Sequence, residues 1–513
     1  MLNRKAYAVI VSSVLLLLLS VGVMSITAQE WSSLSVGIAA PVNLDPALGS
    51  NDVEILFNRS IYDYLIDIAP DGSLIPNLAT DWEVSDDGLV YTVNLREGVS
   101  FHDGSDFNAA DVVFTFDRLK AIESSALSLL GDFEVEAVDD YTVMFTLEEA
   151  NADFAFGIAS RWAFILPDGQ ETPNVIGEGE TALSNFNGTG AWILSEYKPG
   201  ERASFVRNEA YWLEGEPVVD TLNLIFIEDQ QAQIDALQSG VVDIIFKVAY
   251  DRVEELSGME NLKVSTVATN QHPVIRLRSD EGHLGEDPLV RQAFKLATDR
   301  ELLNLDLFGG LATIGNNDPI GPIYGLFYTP MEQVYDPEAA CELLAEAGYP
   351  DGLGVDEPLT FYVVDAFNYS DMAINLQDQW SEACINVDIL MRPENVYYGD
   401  NEWMEVDLGV TGWGSRPIPQ QYFVEAYISS GLYNESHWSD MELDELVAQA
   451  SVTADIEQRS EIYSQISQIF AERGPIIVPF FAPIVGVSDA SVEGFNMHPF
   501  VGRTDLRTVS NTE

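Results

Sequence analysis

Apolar and polar positions alternate in two early stretches, residues 82–101 (WEVSDDGLVYTVNLREGVSF) and 141–149 (YTVMFTLEE). In the second, Tyr141, Val143, Phe145 and Leu147 fall on one face, the period-two pattern of antiparallel sheet with one wet side. Residues 108–120 between them have helical spacing. Upstream, LSVGIAA (34–40) predicts a strand and VEILFNRSIYDYLI (53–66) a helix, with Ser50 or Asn51 as its cap. After Gly188 the texture changes. A hairpin over 188–212, the apolar strand TLNLIFI, a helix over 229–240 stopped by Gly240 and the strand VVDIIF form a strand–helix–strand pattern, the α/β signature. A cap-plus-proline pair opens a helix at Asp287-Pro288, expected to run to 308, and another at Asp336-Pro337. The strand LTFYVV, a helix over 372–383, the strands INVDIL and VDLGVTGWG, a helix over 456–472 and the strands PIIVPFF and IVGVS complete the chain.

Residues 407–422, DLGVTGWGSRPIPQQY, join a buried strand to a loop suited to touching a small molecule. Gly412 and Gly414 are expected to turn the backbone on both sides of Trp413, leaving its ring poorly shielded. Ser415, Arg416 and Tyr422 follow within nine residues and supply a hydroxyl, a bidentate cation and a phenol. A mostly apolar ligand cleft needs such a polar minority. The same residues also fit a core Trp with a solvated Arg beside it.

At 513 residues the chain exceeds what one hydrophobic core fills, so two or more domains are expected. Asp plus Glu number 83 against 24 Lys plus Arg, a net charge of −59 spread along the whole chain. That charge excludes nucleic acid and anionic membrane surfaces as partners. It suits solvation in salty water, as does Lys being scarcer than Arg. Arg4 and Lys5 precede an uncharged apolar run over 6–24, so residues 1–29 read as an export signal, or as an uncleaved membrane anchor, since the run is long enough to span a bilayer. Outside the cytoplasm the only two cysteines, Cys341 and Cys384, form one disulfide or remain two buried thiols.

Catalytic constellations are missing. There is no HExxH, no GxSxG elbow, no P-loop and no GxGxxG before a helix. His102, His272, His283, His437 and His498 lie far apart and lack zinc spacing; most read as surface or turn residues, with His102 before an Asp103-Gly104 turn. Acid pairs for a secreted glycosidase can be matched almost anywhere among so many carboxylates and single out no site. No metal and no cofactor is implied.

The block 78–120, LATDWEVSDDGLVYTVNLREGVSFHDGSDFNAADVVFTFDRLK, closely resembles the signature of the family 5 extracellular solute-binding proteins, the peptide and nickel binding components of ABC importers. VEAVDDYTVMFTL, the 188–212 hairpin, ALQSGVVDI, DPLVRQAFKLATDREL, YDPEAACELLAEAGYPDG and RSEIYSQISQIFAERGPIIVPFF resemble family segments in the family's order. The resemblance implies a two-lobe, periplasmic-binding-protein-like α/β fold of the Venus flytrap type, with an extra mainly antiparallel subdomain at about 51–187. Lobe one would hold 30–270, lobe two 271–480, and 481–513 would return to lobe one, with crossings near 267–273 and 479–483. It further implies a monomer outside the cytoplasm, soluble or anchored through its N-terminal segment, that closes over a ligand and docks on ABC permease subunits, with no catalytic residue required. By the same resemblance Trp413, Gly414, Ser415, Arg416 and Tyr422 line the cleft on one lobe, and Ser50, Asn51, Arg161 and Trp162 face them from the other.

Two departures bear on the ligand. Many peptide-binding members carry an acidic residue shortly after the Gly-Trp, where it pairs with the peptide's amino terminus; here 412–422 holds none. Arg416 instead suits a carboxylate, a phosphate or a pair of sugar hydroxyls. The second departure is RLRSD at 276–280, where an Asn often ends the strand. A peptide or peptide-sized ligand is therefore expected, with an oligosaccharide stacked on Trp162, Trp413 or Trp438, or an anionic compound, as the alternative. Nickel is disfavoured by the absence of a His cluster, and a sensor of the same fold would share the binding step.

Overall fold

The computed structural model describes residues 32–49, 51–170, 183, 185–366, 368–399, 401–500 and 502–511. The export segment 1–29 and Ser50 lie outside the described residues. Two mixed sheets carry the architecture. The first has seven strands in the order Leu262–Val267, Ile484–Asp489, Ile244–Ile245, Ser33–Ile38, Thr221–Phe226, Arg202–Arg207, Trp192–Lys198. The second has five: Val387–Arg392, Leu359–Val364, Leu408–Trp413, His272–Leu277, Ile476–Ile477. Strands covered on both faces are buried along their length; every residue of His272–Leu277 is buried.

A separate four-stranded antiparallel sheet, Ala79–Val84, Val90–Leu95, Thr142–Leu147 and Phe133–Asp139, holds both alternating stretches. Its buried face, with Val93, Val143 and Phe145 fully covered, packs on Phe116 of the helix Ala109–Ala121. Asn108 caps that helix through a capping box with Asp111.

The chain passes between the two large sheets twice. Leu262–Val267 pairs with Ile484–Asp489 in the first sheet, and His272–Leu277 pairs with Leu408–Trp413 in the second. On the way back Ile476–Ile477 belongs to the second sheet, and Ile484–Asp489 to the first. The passages bind each other: Ala482 N–H donates to the Gln271 carbonyl at 2.8 Å, and Thr269 Oγ1 donates to the Ala482 carbonyl at 2.7 Å.

Several elements differ from their sequence patterns. The helix read over 53–66 is Asp52–Ile61. Gly190 N–H donates to the Ile61 carbonyl at 2.8 Å, and Gly188 packs so close that a Cβ there would lie 2.1 Å from the same oxygen. The chain turns extended from Tyr62 for that reason. The helix read over 288–308 is two, Pro288–Leu296 and Arg300–Phe308, because Asp299 turns extended and caps the second through Leu302 N–H. PIIVPFF is split into Ile476–Ile477 and Phe480–Phe481, which pair with different partners on either side of Pro479. The helix Met441–Val452 has no counterpart among the elements predicted from periodicity. His272 is 2% exposed in a strand, contrary to the surface expectation; its Nδ1 lies 2.6 Å from the Asn270 carbonyl, and burial pushes the imidazole down to about 4. His102 does precede the expected turn, with Gly104 N–H donating to the Phe101 carbonyl at 2.9 Å. Cys341 and Cys384 are bonded, with Cα atoms 5.4 Å apart.

Candidate ligand cleft

The strand Leu408–Trp413 runs straight through Gly412, which pairs with Pro273, so neither flanking glycine makes a sharp turn. Gly412 is needed for space: a Cβ would stand 2.6 Å from the Tyr369 hydroxyl. Trp413 is not poorly shielded either; it is 9% exposed, edge-on to Tyr422 at 6.0 Å and to Tyr433 at 6.4 Å. Its indole N–H donates to Glu435 Oε1 at 3.4 Å. Glu435 in turn accepts from Thr411 Oγ1 at 2.7 Å and from Arg276 Nε at 2.8 Å. The RLRSD departure thus has a structural role: Arg276, fully buried, spends its other donors on the Val406 and Trp403 carbonyls and ties the strand to 403–406. Burial pushes the Glu435 carboxyl up, against the pull of Arg276 and Thr411.

Beyond Trp413 the loop is held by its own polar groups. Tyr422 is fully buried, and its hydroxyl accepts the Arg416 N–H at 3.0 Å while donating to the Gly414 carbonyl at 2.8 Å. Burial raises this phenol to about 12. Tyr422 is therefore placed as a brace under the loop. Ser415 Oγ accepts the Asn270 N–H at 3.3 Å, linking the loop to the passage between sheets. Gly414 is exposed in the same loop.

Arg416 is the side chain the loop presents. Its guanidinium lies 5.8 Å over the Trp413 ring, Nη2 is 3.6 Å from Glu425 Oε2, and Nε is buried without a hydrogen-bond partner. Opposite it, Ser160, Arg161 and Trp162 follow the short helix Phe154–Ile158 of the four-stranded sheet's core. Arg161 stacks 4.3 Å over Trp162, a geometry that holds a cation over an aromatic face. Burial, and then the charge of Arg416, push Arg161 down to about 10. These groups line one cavity of about 40 Å³, which Arg503 also touches. Arg503 pairs with Asp67 at 2.6 Å, a carboxylate it shares with Arg59.

A second, larger cavity of about 350 Å³ opens at the carboxyl ends of Ser33–Ile38, Thr221–Phe226 and Ile244–Ile245, the usual ligand position in such sheets. Asn51 lines it, but the Asn51 side chain is committed to a capping box with Glu54, accepting its N–H at 3.0 Å. Phe246, Gln230 and Lys247 line it as well, and Lys247 is paired with Asp52.

Of the expected site residues, Arg161, Trp162, Ser415 and Arg416 meet in one cavity and Asn51 lies in the other. Trp438 is 5% exposed and packed on Phe470 at 5.6 Å, so no face of it is open to a sugar. Sequence reasoning missed Glu425, Glu435, Lys247 and Phe246. Glu425 had a usable signal: Gln421 stands four residues before it and donates to it at 2.8 Å, the spacing of one helical turn. Among the described residues, no group of three or more His, Cys, Asp or Glu could hold a metal ion.

The family model described as bacterial extracellular solute-binding proteins, family 5 Middle, matches residues 73–435. The chain belongs to that family. It is 28% identical to heme-binding protein A of Haemophilus influenzae over 507 residues, covering 90% of this chain and 89% of that protein. It is also 28% identical to di/tripeptide-binding protein 2 of Pseudomonas aeruginosa over 529 residues, covering 95% and 97%. Among solved structures, HbpA2 from Haemophilus parasuis superposes with a TM-score of 0.82 at 25% identity, over 94% of this chain and all (100%) of that one. The fold is accordingly the mixed α/β, multi-sheet fold of periplasmic binding proteins of this family. No helix among the described residues is long and apolar enough to cross a membrane.

Proposed function

We propose that the protein captures a peptide or peptide-sized solute in the cleft between two lobes and delivers it to the permease of an ABC importer, as a monomer outside the cytoplasm and without turnover. The lobes of this reading are residues 30–270 with 481–513, and 271–480; the two hydrogen-bonded passages between the sheets supply the hinge. One observation carries it. Loops from opposite sides, 160–162 and 415–417, line a common cavity with cationic side chains that face each other. A ligand touching both sides favours the closed arrangement by its differential affinity, which needs no chemistry. The relatives named for dipeptides and tripeptides support the ligand class, and the 350 Å³ chamber has room for a ligand of that size.

A thermal-shift and calorimetry panel of free peptides, amino-blocked peptides, oligosaccharides and chelated nickel tests this reading. A ligand at 100 times its dissociation constant stabilises by about 2.7 kcal/mol, a readily measured shift. Saturable binding without product supports capture. Release of product from a glycoside or peptide would replace it with a secreted hydrolase.

A further inference from the structure

Arg161 and Arg416 approach each other from opposite sides of one cavity, and the groups around them do not balance their charge. Arg161 makes no hydrogen bond or ion pair among the described residues; its one specific contact is the Trp162 face. Arg416 has a single carboxylate, Glu425, at 3.6 Å, too long for a hydrogen bond, and its Nε is buried and unpartnered. The third cation on the cavity, Arg503, shares Asp67 with Arg59 and also donates to the Ala159 carbonyl. Lys247 and Asp52 match each other nearby. Among the described residues only one carboxylate, Glu425, stands within ion-pair range of either guanidinium group, in a chain whose net charge is −59.

We propose that this cavity is an oxyanion subsite that grips a carboxylate at one end of the captured ligand, Arg161 from one side and Arg416 from the other. The proposal rests on the solute-capture reading and deepens it by naming the ligand's charge. A planar carboxylate matches the fork of donors that two guanidinium groups present. The cavity of about 40 Å³ has room for such a group in place of about three waters. The cation–π stacks on Trp162 and Trp413 hold both guanidinium groups in position beforehand, so little side-chain freedom is lost on binding. A free amine is repelled here: the acid able to meet it, Glu425, already faces Arg416. Burial first, and then repulsion from Arg416, depress the pKa of Arg161, against the pull of Glu425 and Asp52. An anion between the cations converts that repulsion into attraction across the cleft, so ligand charge is linked to closure.

The carboxylate can belong to a peptide C-terminus or to a non-peptide acid such as a sugar acid. Calorimetry on the full mature chain compares N-acetyl-trialanine with its C-terminal amide, and gluconate with glucose. In the wild type at least one acid is expected to bind about 10-fold or more tighter than its neutral partner, the effect of a hydrogen bond to a charged group. In R161M and R416M the acid-to-neutral ratio should collapse toward one. A wild-type ratio near one for both pairs, or variants that keep the ratio, overturns the subsite. A second readout needs no peptide. Acetate should raise the melting temperature above that in chloride at matched ionic strength. R161M should abolish that difference and raise the melting temperature in chloride, by removing the repulsion. A lower melting temperature with the acetate effect intact makes Arg161 merely structural. If the amide binds as tightly as the acid and glucose as tightly as gluconate, the subsite fails and capture of the solute stands. If acetate acts but no peptide or sugar pair binds, the peptide-sized reading fails and the subsite stands.

Discussion

Glu435 illustrates how much one side chain decides at this site. It is 1% exposed and gathers Arg276, Thr411 and Trp413, three residues from strands that frame the cleft. E435A leaves Arg276 buried and unmatched, and an uncompensated buried charge costs about 3–5 kcal/mol. Urea unfolding should show that loss, and a change below about 1 kcal/mol would mean that water or a nearby group takes over. Asp318 is the second residue with a measurable signature. It is fully buried, accepts from Ile320 N–H at 2.7 Å and from Asn316 Nδ2 at 3.2 Å, and burial raises its pKa from 3.8 to about 7. Its neighbour Lys295 is pushed well down by burial and by the charges of Arg291 and Arg300, and donates to the Phe470 carbonyl at 2.6 Å. Because the folded state holds the Asp318 proton more tightly than the unfolded chain does, its contribution is full below 3.8 and is lost as pH rises through about 7. D318N should therefore match the wild type in acid and exceed it above neutrality. A difference independent of pH would show that Asp318 does not titrate in this window.

At the scale of elements, the cleft is a strand end and a loop that hold each other. The Tyr422 hydroxyl bonds the Arg416 N–H and the Gly414 carbonyl, and Tyr324 donates to the Arg416 carbonyl at 2.8 Å. Y422F leaves two part-buried backbone groups without their partner and should cost about 1 kcal/mol. It should also weaken ligand binding, because Arg416 loses the frame that aims it; unchanged affinity together with lost stability would make the brace purely structural. Several helix starts were easier to read, since they depend on a single side chain. Asp287, Asp336 and Asp455 each cap a helix by accepting an N–H two or three residues on. The break at Asp299 was not legible from periodicity, because the apolar spacing continues across it, while the turn is held by the Asp299 cap on Leu302 N–H and by Gln379 accepting the Asp299 N–H at 2.7 Å.

Over the whole molecule, charge is what sets this chain apart. A net −59 makes the compact state repel itself, and salt screens exposed charges over a Debye length of about 8 Å at physiological strength and about 3 Å at 1 M. The melting temperature should rise steadily from low to molar salt. A flat or falling profile would mean that the ion pairs among these acids outweigh the repulsion. The Cys341–Cys384 bond, 43 residues apart in sequence, ties the helix Pro337–Glu346 to the end of the helix Tyr369–Glu382. Loop closure of that length is worth roughly 4 kcal/mol in the chain-entropy model.

The sequence by itself determined what depends on neighbours along the chain. The alternation at 141–149 specified an antiparallel strand with Val143 and Phe145 inward, caps specified helix starts, and ordered segments specified the family. Its carboxylate count determined the surface. The Gly-Trp loop and Arg161-Trp162 were singled out as candidate cleft residues, the latter through resemblance, and Arg161, Trp162, Ser415 and Arg416 do line one cavity. Only tertiary structure decided which of those groups face one another. Trp413 and Tyr422 carry the residue types of ligand contacts, yet Glu435, the loop backbone and the Asn270 carbonyl claim their polar atoms, and those partners come from up to 152 positions away (Asn270 to Tyr422). Arg161 and Arg416 are 255 positions apart, and nothing in a one-dimensional pattern encodes the repulsion between them. That repulsion exists only once the two sides of the cleft are folded against each other.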